Sequence, residues 1–158
     1  MEILDLRHLG PEHLRALLAE ETTAWREQLR WDYSSTAAMV LRFLEARALT
    51  GYAVMEKGRA VGYSFYVLES YKGLIGDAFV SPAYRDGSTE VRLITHVLET
   101  LQATPAIRRI EAQLLNLDTA AIREHFISLG FECFDRQFLF LALPQATLRP
   151  ASEDFGIH

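Results

Sequence analysis

Hydrophobic positions recur at helical spacing in the first third of the chain. A short apolar run at residues 2–7 indicates a strand, and Pro11 then opens a helix in which leucines recur at helical intervals. The Ser-Ser-Thr run at 34–36 indicates the start of a second helix, whose apolar face carries Val40, Phe43 and Leu44. We therefore predict one strand followed by two helices.

The hydrophobic period changes to that of a strand in the middle of the chain. In RAVGYSFYVLES, residues 59–70, two kinds of side chain alternate, which is typical of a strand with two distinct faces. The preceding GYAVM run at 51–55 is joined to it through a turn at Gly58, and this pattern predicts an antiparallel hairpin. A further strand is predicted at about 74–80.

The last third of the chain alternates between helices and strands. A helix of about four turns is predicted over residues 91–101. RRIEAQLL at 108–115 then indicates a strand, and Asp118 is expected to cap a last helix that ends at Gly130. QFLFLAL at 137–143 indicates a closing buried strand.

This order of elements predicts an α/β domain with a mixed sheet. The chain has 158 residues, of which 49% are hydrophobic, and this is enough to bury one core. We expect a single domain at residues 1–143 and an extended tail at 144–158.

Charge and N-terminal composition exclude several classes of partner. The net charge is −5 and Lys and Arg form no cluster, so neither nucleic acid nor an anionic membrane surface is expected to bind. No apolar run near the N-terminus is long enough for a signal peptide or a membrane span. We therefore expect a soluble cytoplasmic protein.

Metal and redox chemistry have little support in the sequence. The five histidines are scattered and the single cysteine, Cys133, has no partner at ligand spacing, so no metal site is expected. Cys133 precedes Phe134, where a small apolar residue would fit, and we predict a buried, inert thiol. Neither the G-x-S-x-G motif of serine hydrolases nor the G-x-G-x-x-G motif of dinucleotide-binding proteins is present.

The stretch VSPAYRDGSTEVRLI, residues 80–94, passes from a strand through a turn into a helix. The first turn of a helix has unpaired backbone N–H groups and the positive end of the helix dipole, so such a turn can bind a phosphate. The sequence therefore predicts the shape of a phosphate-binding loop at this junction.

The order of elements and two motifs carry a resemblance to a known family. The motifs are GDAFVSPAYR at 76–85 and LDTAAIREHFISLGF at 117–131, separated by a helix and a strand. The chain, from residue 2 to about 143, resembles the GCN5-related N-acetyltransferase (GNAT) family. The resemblance implies a mixed, mostly antiparallel central sheet flanked by about four helices. It also implies an acetyl-CoA-dependent N-acetyltransferase for a small amine, and a possible homodimer formed through the closing strands.

The resemblance implies where coenzyme A would bind. Free backbone groups of a bulged fourth strand, at Phe79 and Val80, would bond the pantetheine arm. The loop that would hold the pyrophosphate consists of Arg85, Asp86, Gly87, Ser88, Thr89 and Glu90.

This loop departs from the family pattern at two positions. Ser88 and Glu90 stand where the family has Gly, and Gly or Ala. A carboxylate about 5 Å from a pyrophosphate would weaken binding by roughly 1 to 3 kcal/mol. Alternatively, an acid in the first turn complements the helix dipole whether or not a ligand binds.

The resemblance also implies catalytic positions. Asp77 would act as the base or anchor a cationic amine, or it would only bond free backbone groups at the bulge, and Glu111 is a second candidate base. Many family members place a tyrosine as general acid four residues before the glycine of the late G-F, and here that position is Phe126. His125 is adjacent to it but points elsewhere around the helix.

The acceptor pocket would involve the connection between the first two helices. Trp31 and Tyr33 there, and Tyr66 near the end of the third strand, are candidate substrate-binding residues, because aromatic rings beside an acid can hold an organic cation. A rival interpretation is a non-catalytic GNAT-fold binding module, which the changes at Ser88, Glu90 and Phe126 motivate.

Overall fold

The computed structural model describes residues 1–117 and 119–141. Its strands are β1 (Glu2–Asp5), β2 (Gly51–Glu56), β3 (Arg59–Glu69), β4 (Lys72–Val80) and β5 (Arg109–Ala112). Its helices are α1 (Pro11–Leu29), α2 (Ser34–Glu45), α3 (Ser88–Ala103) and α4 (Ala120–Ser128). Short 3-10 turns follow β1 at Leu6–His8 and β4 at Pro82–Tyr84.

The strands form one sheet in the order β1-β2-β3-β4-β5, which confirms the predicted α/β fold. Neighbours are antiparallel except for β4 and β5, which are parallel. The sheet separates two clusters of buried side chains. Helices α1 and α2 cover one face, and α3 and α4 cover the other.

Strands β4 and β5 pair over only part of the length of β4. Their register runs from Lys72 opposite Arg109 to Ile75 opposite Ala112, whereas β4 continues beside β3 to Val80. A bulge in β4 at Gly76 precedes the unpaired part, because Tyr66 lies opposite Ile75 while Phe65 lies opposite Asp77. The second half of β4 therefore has an edge that β5 does not cover.

The predicted closing strand is wrong for the part of it that the structure describes. Residues 137–141 form no strand, and 142–143, like the predicted tail at 144–158, lie outside the described residues. Leu139 is 83% exposed and Phe140 55% exposed. An apolar run becomes a strand only where a neighbour accepts its backbone hydrogen bonds, and β5 ends at Ala112, short of the predicted 108–115.

Several smaller predictions are corrected or lie outside the described residues. Cys133 is exposed rather than buried, because residues 131–141 do not enter the sheet. Asp118 is outside the described residues, and the hydroxyl of Thr119 accepts the capping bond from Ile122 N. Phe43, predicted to face inward on α2, is 45% exposed.

The described residues contain neither a helix suited to a membrane nor a cluster of metal ligands. None of the helices given above combines the length and the apolar character needed to cross a bilayer. In residues 1–117 and 119–141, no three His, Cys, Asp or Glu side chains group so that they could hold a metal ion.

Candidate active site

The loop between β4 and α3 places backbone N–H groups at the start of a helix, as the sequence predicts. Gly87 has φ +81°, a left-handed conformation that strains residues with a Cβ atom, and α3 begins at the next residue. The turn therefore directs the first N–H groups of α3 toward the end of β4.

Two carboxylates of the chain already bind these N–H groups. Asp86 Oδ1 accepts hydrogen bonds from Ser88 N at 3.0 Å and Thr89 N at 2.8 Å. Glu90 Oε2 accepts from Gly87 N at 2.9 Å, and Glu90 is only 1% exposed. The bond from the Thr89 N–H, followed by that from the Ser88 hydroxyl, lowers the pKa of Asp86. The loop thus has the donors of an anion site, with three of them bonded internally.

The uncovered edge of β4 is also partly bonded to side chains. Ser81 N donates to Val61 O of β3, so the backbone groups of Val80 point to the opposite side. There, Val80 O accepts from Arg85 Nε at 2.7 Å, and the guanidinium lies over the Phe79 ring, 5.1 Å from its centroid. Nη2 of Arg85 is buried and has no hydrogen-bond partner among residues 1–117 and 119–141.

Asp77 begins a buried chain of hydrogen bonds on the α1 face of the sheet. Its Oδ1 accepts from Ala78 N at 2.8 Å, and its Oδ2 accepts from the Tyr33 hydroxyl. The Tyr33 hydroxyl lies 3.5 Å from that of Tyr63, which donates to Glu21 Oε2 at 2.7 Å. We call Glu21, Tyr63, Tyr33 and Asp77 the acid-tyrosine chain.

Burial raises the pKa values of both carboxyl groups in this chain. For Glu21, burial and then the charge of Asp77 raise the pKa well above its usual value. For Asp77, burial raises the pKa, and the hydrogen bonds from Tyr33 and Ala78 oppose part of this rise. The pKa of the Tyr33 hydroxyl is also raised, first by burial and then by Glu21, so it remains a neutral donor.

These shifts predict how the free energy of unfolding depends on pH. Below 4.5, the ordinary pKa of Glu21, this carboxyl is protonated in both the folded and the unfolded chain. As pH rises above 4.5, only the unfolded chain loses this proton, so stability falls until the raised folded pKa is passed. Chemical denaturation at about pH 5 and about pH 8 measures this loss, which Glu21→Gln should largely remove. An equal loss in Glu21→Gln would contradict it.

Aromatic rings connect the acid-tyrosine chain to the surface. Trp25 stacks on Tyr33 with ring centroids 5.1 Å apart, and Trp25 Nε1 donates to Glu21 Oε1 at 3.3 Å. Trp31, 47% exposed, lies 6.2 Å from Trp25 and 5.8 Å from Phe138. We call the rings of Tyr33, Trp25 and Trp31 the aromatic column. Its outer end, at Trp31, is open to solvent beside residues 138–140.

Comparisons with known proteins give matches to solved structures. No family model and no curated protein matches the chain. A probable acetyltransferase, 18% identical, has TM-score 0.61 over 94% of this chain and 100% of that one. The aminoglycoside N-acetyltransferase AAC(6')-Iy in complex with CoA, 18% identical, has TM-score 0.57 over 89% of this chain and 93% of its own. The ribosomal-protein-alanine N-acetyltransferase of Brucella melitensis, 12% identical, has TM-score 0.55 over 89% of this chain and 98% of its own.

The chain has the GNAT fold. At these identities the similarity concerns the fold alone, and the roles of individual residues stay predictions. Within the GNAT fold, a cleft of about 1160 Å³ lies between β5, α4 and residues 131–136 and reaches Gly76 at the β4 bulge. From β4 the cleft is lined by 74–76, up to the bulge, and by none of the residues 77–80 of the uncovered edge.

The GNAT fold brings some of the predicted site residues together and separates others. Tyr33 bonds Asp77, and Trp31 joins them through the aromatic column. Glu111 lies on β5 opposite Leu74, where it forms an ion pair with Arg109 and has no bond to the acid-tyrosine chain. Tyr66 packs in the cluster under α3, on the other face of the sheet.

Three residues of this region were not predicted from the sequence: Glu21, Trp25 and Tyr63. A signal for Glu21 was present, because it falls on the apolar stripe of α1 between Leu18 and Trp25, where a charged residue is unexpected. The role of Glu21 depends on which side chains β3 and β4 place against α1, and the sequence alone does not give these.

An apolar core residue, Phe126, occupies the position at which many family members have the tyrosine that acts as general acid. Phe126 is 7% exposed and packs edge-on against Phe131, with ring centroids 4.8 Å apart. The neighbouring His125 has Nε2 hydrogen-bonded to Thr95 Oγ1 of α3 at 3.0 Å. Neither side chain is placed as a free proton donor.

Proposed function

We propose that the protein is an acetyl-CoA-dependent N-acetyltransferase that acts on a small amine. The observation that carries the proposal is the position of Asp77, a buried carboxyl next to the β4 bulge, where β4 and β5 stop pairing. A thioester bonded along the uncovered edge of β4 would bring its carbonyl near this carboxyl. The GNAT fold of the chain supports the same reaction class.

In the proposed reaction, a cationic acceptor first loses one proton to solvent, and the nitrogen of the resulting neutral amine attacks the thioester carbonyl. The C–N bond forms, the C–S bond breaks, and Asp77 takes the proton that the nitrogen loses. With Phe126 at the position of the usual tyrosine, the leaving thiolate takes its proton from water. Asp77 then returns its proton to solvent.

A cationic amine is the acceptor that the site favours. The acid-tyrosine chain supplies negative charge, and the exposed ring of Trp31 supplies a face that attracts an organic cation, whereas the ring of Tyr33 is buried against Trp25. Trp31 is the exposed member, so the acceptor would approach from the side of the α1–α2 connection.

Coenzyme A fits this site only after a local change. Its diphosphate would need the N–H groups of Gly87, Ser88 and Thr89, which Glu90 and Asp86 now bind. Its pantetheine arm would need Val80 O, which Arg85 now binds. Coenzyme A would therefore have to displace these side chains from the loop.

The same hydrogen bonds favour a second candidate function, a GNAT-fold binding module without turnover. In that case the carboxylates of Asp86 and Glu90 permanently satisfy the start of α3, and Asp77 only stabilises the bulge. Phe126, which cannot act as the general acid, is consistent with such a loss of catalysis.

Calorimetry with coenzyme A and with acetyl-CoA tests the proposal. We expect heat and a thermal shift with both, followed by thiol release in the presence of a cationic amine from a panel of acceptors. Binding without thiol release across the panel would favour the binding module. No heat and no thermal shift at millimolar ligand would end the acetyltransferase proposal.

A further inference from the structure

The acid-tyrosine chain joins two buried carboxyl groups and contains no positive charge. Glu21 is 0% exposed and Asp77 is 7% exposed. The two carboxyl groups face each other, and the other groups that face them are Tyr33 ahead of α2 and Tyr63 on β3, with Trp25 on α1 beside Glu21. No Lys, Arg or His is among the partners that the structure gives for either carboxyl in the described part of the chain.

The donors and acceptors of the acid-tyrosine chain indicate that it holds one additional proton. Each tyrosine hydroxyl has one hydrogen to donate. If both carboxyls are ionised, Tyr33 donates to Asp77 and Tyr63 donates to Glu21, which leaves two oxygen lone pairs facing each other 3.5 Å apart. A proton on Glu21 allows a hydrogen bond between the two hydroxyls. Glu21 then donates to Tyr63, Tyr63 donates to Tyr33, and Tyr33 donates to Asp77.

The environments of the two carboxyls indicate which of them holds the proton. Asp77 receives a backbone N–H from Ala78 as well as the Tyr33 hydroxyl, and both bonds stabilise its charged form. Glu21 is completely buried, and its second donor, Trp25 Nε1, is 3.3 Å away. The pKa directions agree, since burial and then the charge of Asp77 raise the pKa of Glu21, whereas for Asp77 the bonds from Tyr33 and Ala78 oppose the rise in pKa that burial causes.

We propose that Glu21 is a positioning residue that shares one proton with Asp77 through the hydroxyls of Tyr63 and Tyr33. Glu21 holds this proton, and Asp77 carries the single negative charge of the chain. The hydrogen bonds then run in one direction from Glu21 to Asp77, which fixes the Tyr33 hydroxyl as a donor. Glu21 does not touch the substrates.

The catalytic meaning of this arrangement rests on the proposed function. Asp77 can accept the amine proton without a second unbalanced charge beside it, because Glu21 stays neutral. At higher pH Glu21 ionises, the contact between Tyr33 and Tyr63 loses its proton, and the position of Tyr33 against Asp77 is no longer fixed. The shared proton itself does not depend on any activity.

Infrared spectroscopy of the whole protein without ligand tests the shared proton. We expect a carbonyl band of a protonated, buried carboxyl near neutral pH. Glu21→Gln should remove the band, and Glu20→Gln, an exposed neighbour on α1, should leave it. Asp77→Asn should keep the band but move its titration to lower pH, since the charge of Asp77 no longer raises the pKa of Glu21.

A second pair of variants covers the possibility that Glu21→Gln does not fold. Tyr63→Phe removes the hydroxyl that accepts from protonated Glu21 and donates to ionised Glu21. The bond to the charged form is the stronger of the two and lowers the pKa of Glu21, so the titration of the band should move to higher pH. Tyr52→Phe is the matched control, because the Tyr52 hydroxyl bonds Thr100 elsewhere. No band near neutral pH in the natural protein, or a band that Asp77→Asn removes while Glu21→Gln retains it, would overturn the proposal.

Kinetics separate this proposal from the proposed function. In an active enzyme, kcat/KM should change at the pH where the band titrates, and Glu21→Gln should lose that step while keeping the KM for acetyl-CoA. The expected band pattern without acetyl transfer would retain the shared proton and contradict only the proposed function. Activity with an unchanged pH profile in Glu21→Gln would contradict the role of Glu21 alone.

Discussion

Asp77→Asn should lower kcat/KM for acetyl transfer by roughly a hundredfold or more, because the variant cannot take the proton of the attacking amine. The amide keeps the size of the carboxyl group, and its single oxygen can still accept from Ala78 N, so the bulge should persist, while its NH2 group replaces the oxygen that accepts from Tyr33. Thiol release under saturating acetyl-CoA, with the acceptor varied, measures the effect.

Glu111→Gln is the comparison that distinguishes the two candidate bases. Its carboxylate is paired with Arg109 on the exposed side of β5, outside the acid-tyrosine chain, so we expect a much smaller change in kcat/KM. Glu20→Gln controls for the general effect of removing a carboxylate from the surface. A large loss in Glu111→Gln with normal activity in Asp77→Asn would reverse the assignment.

Glu90→Ala should tighten coenzyme A binding by about tenfold to a hundredfold. This range follows from a repulsion of roughly 1 to 3 kcal/mol between a carboxylate and a nearby diphosphate. The substitution also frees the Gly87 N–H, which donates to Glu90. Isothermal calorimetry with coenzyme A measures the change.

Two further variants separate the charge of Glu90 from its hydrogen bond. Glu90→Gln keeps an oxygen that can accept from Gly87 N but removes the charge, so its affinity should lie between those of the natural protein and Glu90→Ala. Glu99→Gln removes an exposed carboxylate from the same helix and should leave the affinity unchanged. Equal affinity in Glu90→Ala and the natural protein would show that coenzyme A does not use this loop.

Most helices and strands could be predicted because their signals are local. The hydrophobic period of α1, α3 and the β2–β3 hairpin depends only on which side chains neighbour one another along the chain. The run at 137–143 has the same kind of signal, yet residues 137–141 form no strand. A strand needs a partner that accepts its hydrogen bonds, and no local pattern provides that partner.

The candidate site was predictable in part. Asp77, Tyr33 and the loop at 85–90 were implied by the resemblance to the GNAT family, which rested on the order of the elements and on two motifs. Glu21 was not, because its role depends on β3 and β4 bringing Tyr63 and Asp77 against the buried face of α1. A charged residue in an apolar stripe indicates only that a polar partner lies opposite it, and not which residue that partner is.

The order of residues alone was sufficient to predict a mixed sheet with two pairs of helices and a turn that directs amide groups toward a possible anion. Only folding decided that Glu90 turns back to Gly87 instead of pointing outward, and that Glu21 meets Asp77. The physical reason is that periodicity is a property of neighbouring residues, whereas the bonding of a buried carboxyl depends on groups that distant segments bring to it.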